Sequence, residues 1–115
     1  MSYKLTKKIE TVKKEKVGMI LDVYPNIDNC GFVLENTEEG HNSEFYNTKS
    51  TFTYIILEGS GLFFIDDEEI SVSTGDCISI PPNTRIYFKG KLKMILITTP
   101  AWKSENEVET RSSIW

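Results

Sequence analysis

The chain has 115 residues, of which 39% are hydrophobic, so it is long enough for one domain with a closed core and too short for two domains of ordinary size. Its formal net charge of -4 and its pI near 5.0 provide no overall positive field, which excludes nucleic acid and acidic membranes as expected partners. No apolar stretch is long enough for a signal peptide or a membrane span, so we expect a cytoplasmic protein.

The first sixteen residues form a basic segment, with six lysines against two glutamates. Such a segment predicts a solvated arm or a first strand, and an anion-binding flap is the alternative. The last fifteen residues are polar and acidic, and they predict either a disordered extension or an arm that places Trp115 on a neighbouring surface. We therefore divide the chain into an arm at 1–16, a single barrel at 17–100 and a tail at 101–115.

The barrel region begins with two β-rich runs, at residues 17–24 and 31–35, which are separated by an Asp28-Asn29 turn. Two apolar runs follow at residues 52–57 and 62–65. The sequence Glu58-Gly59-Ser60-Gly61 joins them, and its glycines predict a hairpin between these two runs.

Further short strands are predicted after this hairpin, each bounded by turn residues. They lie at residues 70–72, 78–80, 84–89 and 92–98, with turns at 66–69 and 73–76. No long segment has a helical period. Eight to ten short strands at this close spacing indicate an all-β sandwich or barrel.

Some of the predicted strands are apolar on both faces, notably residues 54–57 and 62–65. In a one-layer barrel the outer face of such strands would lie in water. A homodimer is the economical way to cover it. The alternative is that residues 1–17 or the tail cover this face within one chain.

Two glycine-framed blocks carry a resemblance to a known family. The first runs from Gly40 to Gly59. The second begins at Gly75 and continues through a Pro81-Pro82-Asn83 turn to Gly90, with Asn83 in the place of a turn glycine because Asn accepts a positive φ. Over residues 31–99 this spacing resembles the cupin family. The resemblance implies an all-β, cupin-type jelly-roll β-barrel, also described as a double-stranded β-helix.

The resemblance also implies four inward positions that hold a metal ion in a typical cupin, and here these positions are occupied by Tyr46, Thr48, Phe52 and Ile86. Phenyl and sec-butyl groups cannot coordinate a cation, and a neutral hydroxyl is a poor ligand without charged company. We therefore expect a degenerate metal site, with no metal and no cofactor. A metal enzyme with unusual ligands, such as His41, Glu44 or a cysteine, stays open as an alternative.

The same positions predict an apolar ligand pocket. Strand alternation from Phe52 places Tyr54 and Ile56 on the inward face. The predicted lining consists of Tyr46, Thr48, Phe52, Tyr54 and Ile86. The alternative is that these side chains simply fill the core.

Any imidazole chemistry must use His41, because it is the only histidine in the chain. Some metal-independent cupins, the sugar-nucleotide epimerases and ketoisomerases, combine a His base with a Tyr acid, and the corresponding candidates are His41 with Tyr46 or Tyr54. His41 lies five residues before Tyr46, however, which predicts that it points to the opposite face or belongs to the preceding loop.

Three functions remain in competition at this point. The leading hypothesis is a metal-free barrel that binds or senses a small molecule, which includes carbohydrate derivatives, without metal-dependent activity. The second is a metal-independent sugar or nucleotide-sugar isomerase or epimerase that uses His41 and a barrel tyrosine. The third is a structural or interaction protein with a filled barrel.

Overall fold

The β-rich pattern of the sequence forms one curled sheet. A computed structural model describes residues 2–115, and in this range nine strands surround an apolar interior. The strands are β1 Val12–Lys16, β2 Met19–Val23, β3 Gly31–Thr37, β4 Gly40–Asn47, β5 Thr51–Ile65, β6 Glu68–Ser73, β7 Cys77–Ile80, β8 Ile86–Thr99 and β9 Glu107–Arg111. Short 3-10 helices at Lys8–Glu10 and Ser104–Asn106 precede β1 and β9. Within residues 2–115, no helix has the length and apolar character needed to cross a membrane.

The two longest strands, β5 and β8, form the centre of the sheet and pair antiparallel along their length. On its other edge β8 pairs first with β4 and then with β3. Strands β2 and β1 extend the sheet from β3, while β9 extends it from β4. Strands β6 and β7 pair with β5. The all-β, cupin-type prediction is confirmed.

The glycines of residues 58–61 lie within a strand and do not make a hairpin. Strand β5 runs through them without interruption, so the hairpin prediction is wrong. A Cβ at Gly59 would lie 2.1 Å from the carbonyl oxygen of Lys91. Glycine is needed here because the backbones of β5 and β8 approach too closely to leave room for a side chain.

Three other predicted turns are confirmed by their backbone angles. Asp28 and Asn29 have φ values of 50° and 61°, and Asp66 and Asp67 have values of 47° and 71°. Asn83 has a φ of 63°, so the turn that lacks its family glycine is intact. Asp and Asn are the non-glycine residues that tolerate this left-handed region.

The core consists of inward side chains from alternate positions of the central strands. Phe52, Tyr54 and Ile56 of β5 are each at most 3% exposed, which confirms the predicted alternation. Phe63 of β5 stacks on Phe88 of β8 with ring centroids 4.8 Å apart. Each of these buried side chains stabilises the fold by about 1.5–3 kcal/mol through the apolar area removed from water.

Both terminal segments pair with the sheet of their own chain. Part of the basic arm forms β1, which pairs with β2, and part of the tail forms β9, which pairs with β4. The ammonium group of Lys89 lies 5.0 Å from the ring centroid of Trp115. The tail is therefore an added strand and not a loose extension.

The outer face of the sheet is partly covered by residues of the same chain. Phe64 stacks on Tyr87 with centroids 4.5 Å apart, and the guanidinium of Arg111 lies 5.3 Å from the Tyr87 ring. Arg111 belongs to the tail, so the tail covers part of the apolar face as the alternative expected. The homodimer stays a prediction.

Candidate active site

A cavity of about 260 Å³ lies between the β1–β3 side of the sheet and its centre. Aromatic and aliphatic side chains from β2, β3, β4, β5 and β8 form most of its wall. These apolar residues are Met19, Leu21, Val23, Phe32, Val33, Phe45, Phe52, Tyr54 and Leu96. A few titratable groups point into this otherwise apolar space, which is the usual composition of a small-molecule site.

His41 lies in β4 and is only 4% exposed. Its Nδ1 lies 2.6 Å from the carbonyl oxygen of Ser43. Because a carbonyl only accepts, Nδ1 must carry the proton, and the lone pair is then on Nε2. Burial lowers the pKa of His41 to about 4, although the Ser43 hydrogen bond acts in the opposite direction. His41 is therefore a neutral imidazole at pH 7.

The position of His41 corrects the expectation drawn from strand parity. His41 lies within a strand and lines the cavity; it neither belongs to a loop nor faces away from the cavity. The pairing of β4 with β8 changes register between His41 and Phe45. His41 and Phe45 are four residues apart and both line the cavity, so the alternation is preserved across this irregularity. His41 does have the opposite parity to Tyr46; the error was to take Tyr46 as an inward residue, because Tyr46 is not part of the cavity wall.

Glu35 lies in β3, and it is 4% exposed. Its Oε1 atom has no hydrogen-bond partner among the described residues. Burial raises the pKa of Glu35 to about 8, and the nearby charge of Glu107 raises it further while Lys16 acts against both. Glu35 is therefore a neutral carboxylic acid at pH 7, with a proton to donate.

Tyr54 of β5 is the third polar group in the cavity. Its side chain is 2% exposed, and its ring contacts Phe63 and Phe88 edge-on at centroid distances of 5.0 and 5.7 Å. Burial raises the pKa of Tyr54 well above its ordinary value, and the charges of Glu35 and Glu107 act in the same direction. Tyr54 is a neutral donor or acceptor.

Lys16, Trp102 and Glu107 form a mouth cluster at the edge of the cavity. The Nζ of Lys16 lies 2.6 Å from Oε2 of Glu107, and the indole Nε1–H of Trp102 donates to Oε1 of the same carboxylate at 2.9 Å. Lys16 also lies 4.9 Å from the centroid of the Trp102 ring. These contacts satisfy both oxygens of Glu107 and hold β1 against the tail.

Comparison with solved structures identifies the family. Streptomyces Pac13, described as a unique nucleoside dehydratase, is 34% identical, with a TM-score of 0.90 over 97% of this chain and 93% of that chain. The chain belongs to the cupin superfamily. An RmlC-like cupin from Shewanella frigidimarina supports the fold alone, with 13% identity and a TM-score of 0.69 over 84% of this chain and 89% of that one. No established protein-family profile matches the sequence.

Among curated cupins, the acireductone dioxygenase of Exiguobacterium sibiricum is 34% identical over 70% of this chain and 47% of its own length. The chain spans about half the length of the curated relatives it matches. A dehydratase and a dioxygenase are both enzymes. The leading hypothesis from sequence, a metal-free binding or sensing protein without such activity, is therefore wrong, because the relatives of stated activity are cupin enzymes.

The four positions at which a typical cupin holds its metal do not fit a metal ion in this chain. Phe52 and Ile86 are buried at 3% and 2% exposure and carry no donor atom. Among residues 2–115, no group of three or more His, Cys, Asp or Glu side chains is placed to hold a metal. The donor set therefore gives no basis for a reaction step through a metal at these positions.

The structure brings together some of the residues predicted to form the pocket. His41, Phe52 and Tyr54 line the cavity, whereas Tyr46, Thr48 and Ile86 are not part of its wall. Tyr46 pairs with β9, and Thr48 Oγ1 donates to the carbonyl of Asn106 at 3.3 Å. A catalytic role for Tyr46 stays a prediction without a place in this cavity.

The sequence analysis missed Glu35 and the mouth cluster. A signal for Glu35 existed, since it continues the alternate positions of Gly31 and Val33 in a β-rich run. A carboxyl at an inward position of such a run is unusual. No comparable signal links Lys16 to Glu107, because they lie 91 residues apart.

Proposed function

We propose that this chain is a lyase that removes water from a nucleoside of the uridine class. Pac13 is described as a nucleoside dehydratase, and structures of one His-to-Gln and two Tyr-to-Phe variants of Pac13 are described as containing uridine. The cavity of this chain also combines one histidine with a tyrosine. The similarity extends over 97% of the chain, so it covers the strands that form the cavity.

The buried position of His41 in the cavity wall and its hydrogen bond to Ser43 are the observations that carry this proposal. A buried, neutral imidazole whose Nδ1–H is held by the Ser43 carbonyl at 2.6 Å offers Nε2 as a general base in a fixed orientation. A general base of this kind suits the abstraction of a proton next to a carbonyl, which is one way to begin an elimination.

The elimination itself needs two proton movements. His41 takes a proton from a ribose carbon, the electrons of that C–H bond form a double bond to the neighbouring carbon, and the hydroxyl on that carbon leaves. An acid in the cavity gives the leaving hydroxyl a proton, so that it departs as water. One C–H and one C–O bond break, and one carbon–carbon π bond forms.

The size and charge of the cavity favour a nucleoside over a nucleotide. Its volume of about 260 Å³ lies just below the usual range of about 300–1,000 Å³ for ligand sites. Phe45 and Phe52, with centroids 5.6 Å apart, offer aromatic surface to a flat base. At the mouth, Lys16 is already paired with Glu107, so this lysine is not free to bind a phosphate.

The test is turnover of uridine derivatives in which one ribose hydroxyl is oxidised to a carbonyl, with uridine itself as the unactivated control. Mass spectrometry should detect the loss of one water from an oxidised derivative. His41→Asn keeps a side-chain N–H for the Ser43 carbonyl and removes the base, so turnover should fall by about 10²–10⁴-fold. Absence of water loss from every derivative with the unaltered protein would refute the proposal.

A further inference from the structure

Glu35 has no structural role that explains its carboxyl group. On β3 it pairs through its backbone with Leu21 of β2 and Met94 of β8. The inward side of these neighbours is apolar, and Oε1 of Glu35 has no partner among residues 2–115. Burying a polar group without a hydrogen bond destabilises the folded state. A leucine would fill this position without that cost.

The carboxyl lies in the wall of the same cavity as His41 and Tyr54. Tyr54 pairs with Leu96 of β8, one inward position along from Met94, so Glu35 and Tyr54 occupy neighbouring rows of one face. A ligand in the cavity therefore meets the carboxyl group of Glu35 and the ring of His41, which both belong to its wall.

The charged and titratable groups that line the cavity with Glu35 come from β1, β4, β5 and the tail. Strand β1 contributes Lys14, Glu15 and Lys16, strands β4 and β5 contribute His41 and Tyr54, and Glu107 lies at the mouth. Strands β2 and β8 contribute only apolar side chains and Thr98 to this wall. Lys16 is the cation that acts on Glu35, and it is shared with Glu107.

We infer that Glu35 is the acid of this site and gives its proton to the hydroxyl that leaves the substrate. This inference rests on the proposed function. The O–H bond of Glu35 breaks as the C–O bond of the substrate breaks, the leaving oxygen departs as water, and Glu35 becomes a carboxylate while His41 becomes an imidazolium.

The surroundings of Glu35 suit an acid, and those of His41 suit a base. Burial holds the pKa of Glu35 at about 8 and that of His41 at about 4, so both groups start the reaction neutral. Two groups whose surroundings set opposite protonation states mark acid and base assignments. After the reaction, the released water carries the proton from the imidazolium back to the carboxylate, which restores both groups.

A binding experiment tests the contact without any turnover. The infrared C=O stretch of the protonated carboxyl is assigned as the band that Glu35→Gln removes and the exposed control Glu58→Gln retains. We expect uridine to shift this band, because a hydroxyl of the ribose accepts the hydrogen bond of the acid. A band that uridine leaves unchanged would overturn the inference.

A kinetic experiment tests the proton transfer. Glu35→Gln retains the shape and a hydrogen-bond donor, and it should lower kcat by about 10²–10⁴-fold on the hydroxyl substrate. A substrate with chloride in place of the leaving hydroxyl needs no proton, so most of the loss should disappear with it. Turnover equal to that of the unaltered protein in Glu35→Gln, or an undiminished loss with the chloride substrate, would also overturn the inference.

The two experiments separate this inference from the proposed function. If the unaltered protein dehydrates no nucleoside, the proposed function fails and so does the assignment of Glu35 as its acid. A uridine-induced band shift would then still establish Glu35 as a ligand contact. If turnover is normal in Glu35→Leu, which has the apolar side chain that the site accommodates, Glu35 is dispensable and only the inference fails.

Discussion

Two glutamates of this protein are equally buried and have opposite protonation states. Glu35, in the cavity, has an unpartnered oxygen, and its pKa is raised to about 8 by burial. Glu44, in β4, accepts hydrogen bonds from Thr110 and Arg111 at 2.7 and 2.8 Å, and these bonds, with Arg85 nearby, lower its pKa. The two side chains have similar exposures of 4% and 1%, yet Glu35 keeps its proton and Glu44 is an anion.

The comparison shows that hydrogen-bond partners and nearby cations, together with the depth of burial, decide what a carboxyl does in this barrel. The pair formed by Glu44 and Arg111 links β4 to β9 and holds the tail on the sheet. Glu35 lacks such a partner, so its carboxyl costs free energy and gains nothing for the fold. A group that costs stability and faces a cavity is a functional candidate on physical grounds.

The largest expected effect comes from making Glu44 resemble Glu35. Arg111→Met removes the closest cation of Glu44 and leaves that buried carboxylate with Thr110 and the more distant Arg85, so the free energy of unfolding at pH 7 should fall. Denaturant unfolding measures the loss, with the exposed Lys103→Met as control. Because a lowered pKa adds stability that is lost as pH falls, the difference from the unaltered protein should narrow in acid. A gap that widens in acid would contradict the paired state of Glu44.

A second prediction concerns the pH dependence of stability that follows from the protonated state of Glu35. Its pKa is raised from 4.5 to about 8 in the folded state, so the folded protein holds a proton that the unfolded chain has lost, and stability falls as pH rises through this window. The pKa of His41 is 6.5 in the unfolded chain and about 4 in the folded protein, so above pH 6.5 His41 adds only a small slope of the opposite sign, which fades toward pH 8. Between pH 6.5 and pH 8, the titration of Glu35 should therefore lower the free energy of unfolding by about 2 kcal/mol.

Glu35→Gln should remove this slope, since an amide does not titrate. Free energies of unfolding at pH 6.5 and pH 8 measure it, and Glu58→Gln should retain the slope of the unaltered protein. If the free energy of unfolding of Glu35→Gln has the same slope against pH as that of the unaltered protein, Glu35 is already ionised at neutral pH. Glu35 and Glu44 would then not differ in protonation state.

The sequence predicted the parts of this site that depend on strand period alone. Phe52 and Tyr54 follow the alternation of β5, and both line the cavity. The count placed His41 on the wrong face because it took Tyr46 as an inward residue, whereas Tyr46 pairs with β9 and is not part of the cavity wall. Alternation shows which residues of a strand share a face, but only the pairing with other strands decides which face is inward.

The missing hairpin has a similar origin. Gly59 and Gly61 satisfy the rule for a tight turn, yet they serve a close approach between β5 and β8. Which use applies depends on a strand some thirty residues away. The contrast between Glu35 and Glu44 is of the same kind, since both are buried glutamates within strands and only tertiary contacts, for Glu44 those from residues 85, 110 and 111, distinguish them.

The smallest expected effects come from removing a charge in the mouth cluster. Removing the charge of Lys16 and removing that of Glu107 should shift the pKa values of Glu35 and His41 in opposite directions. Lys16 lowers the pKa of both Glu35 and His41, and Glu107 raises the pKa of both. Lys16→Met should therefore move both titrations to higher pH, and Glu107→Gln should move both to lower pH while keeping an acceptor for Trp102. Because Lys16 is 38% exposed, the solvent screens these effects, and stability should change by only about 0.2–1 kcal/mol.

Titration of the Glu35 carboxyl by infrared spectroscopy and of His41 by NMR measures the two shifts in each variant. Added salt should shrink them, because the mouth is open to solvent. Shifts of the same sign in the two variants would mean that the cluster acts by changing the packing of β1 and the tail. Opposite signs would mean that the charges at the mouth adjust the acid and the base together, in contrast to the arginines that bind Glu44 directly.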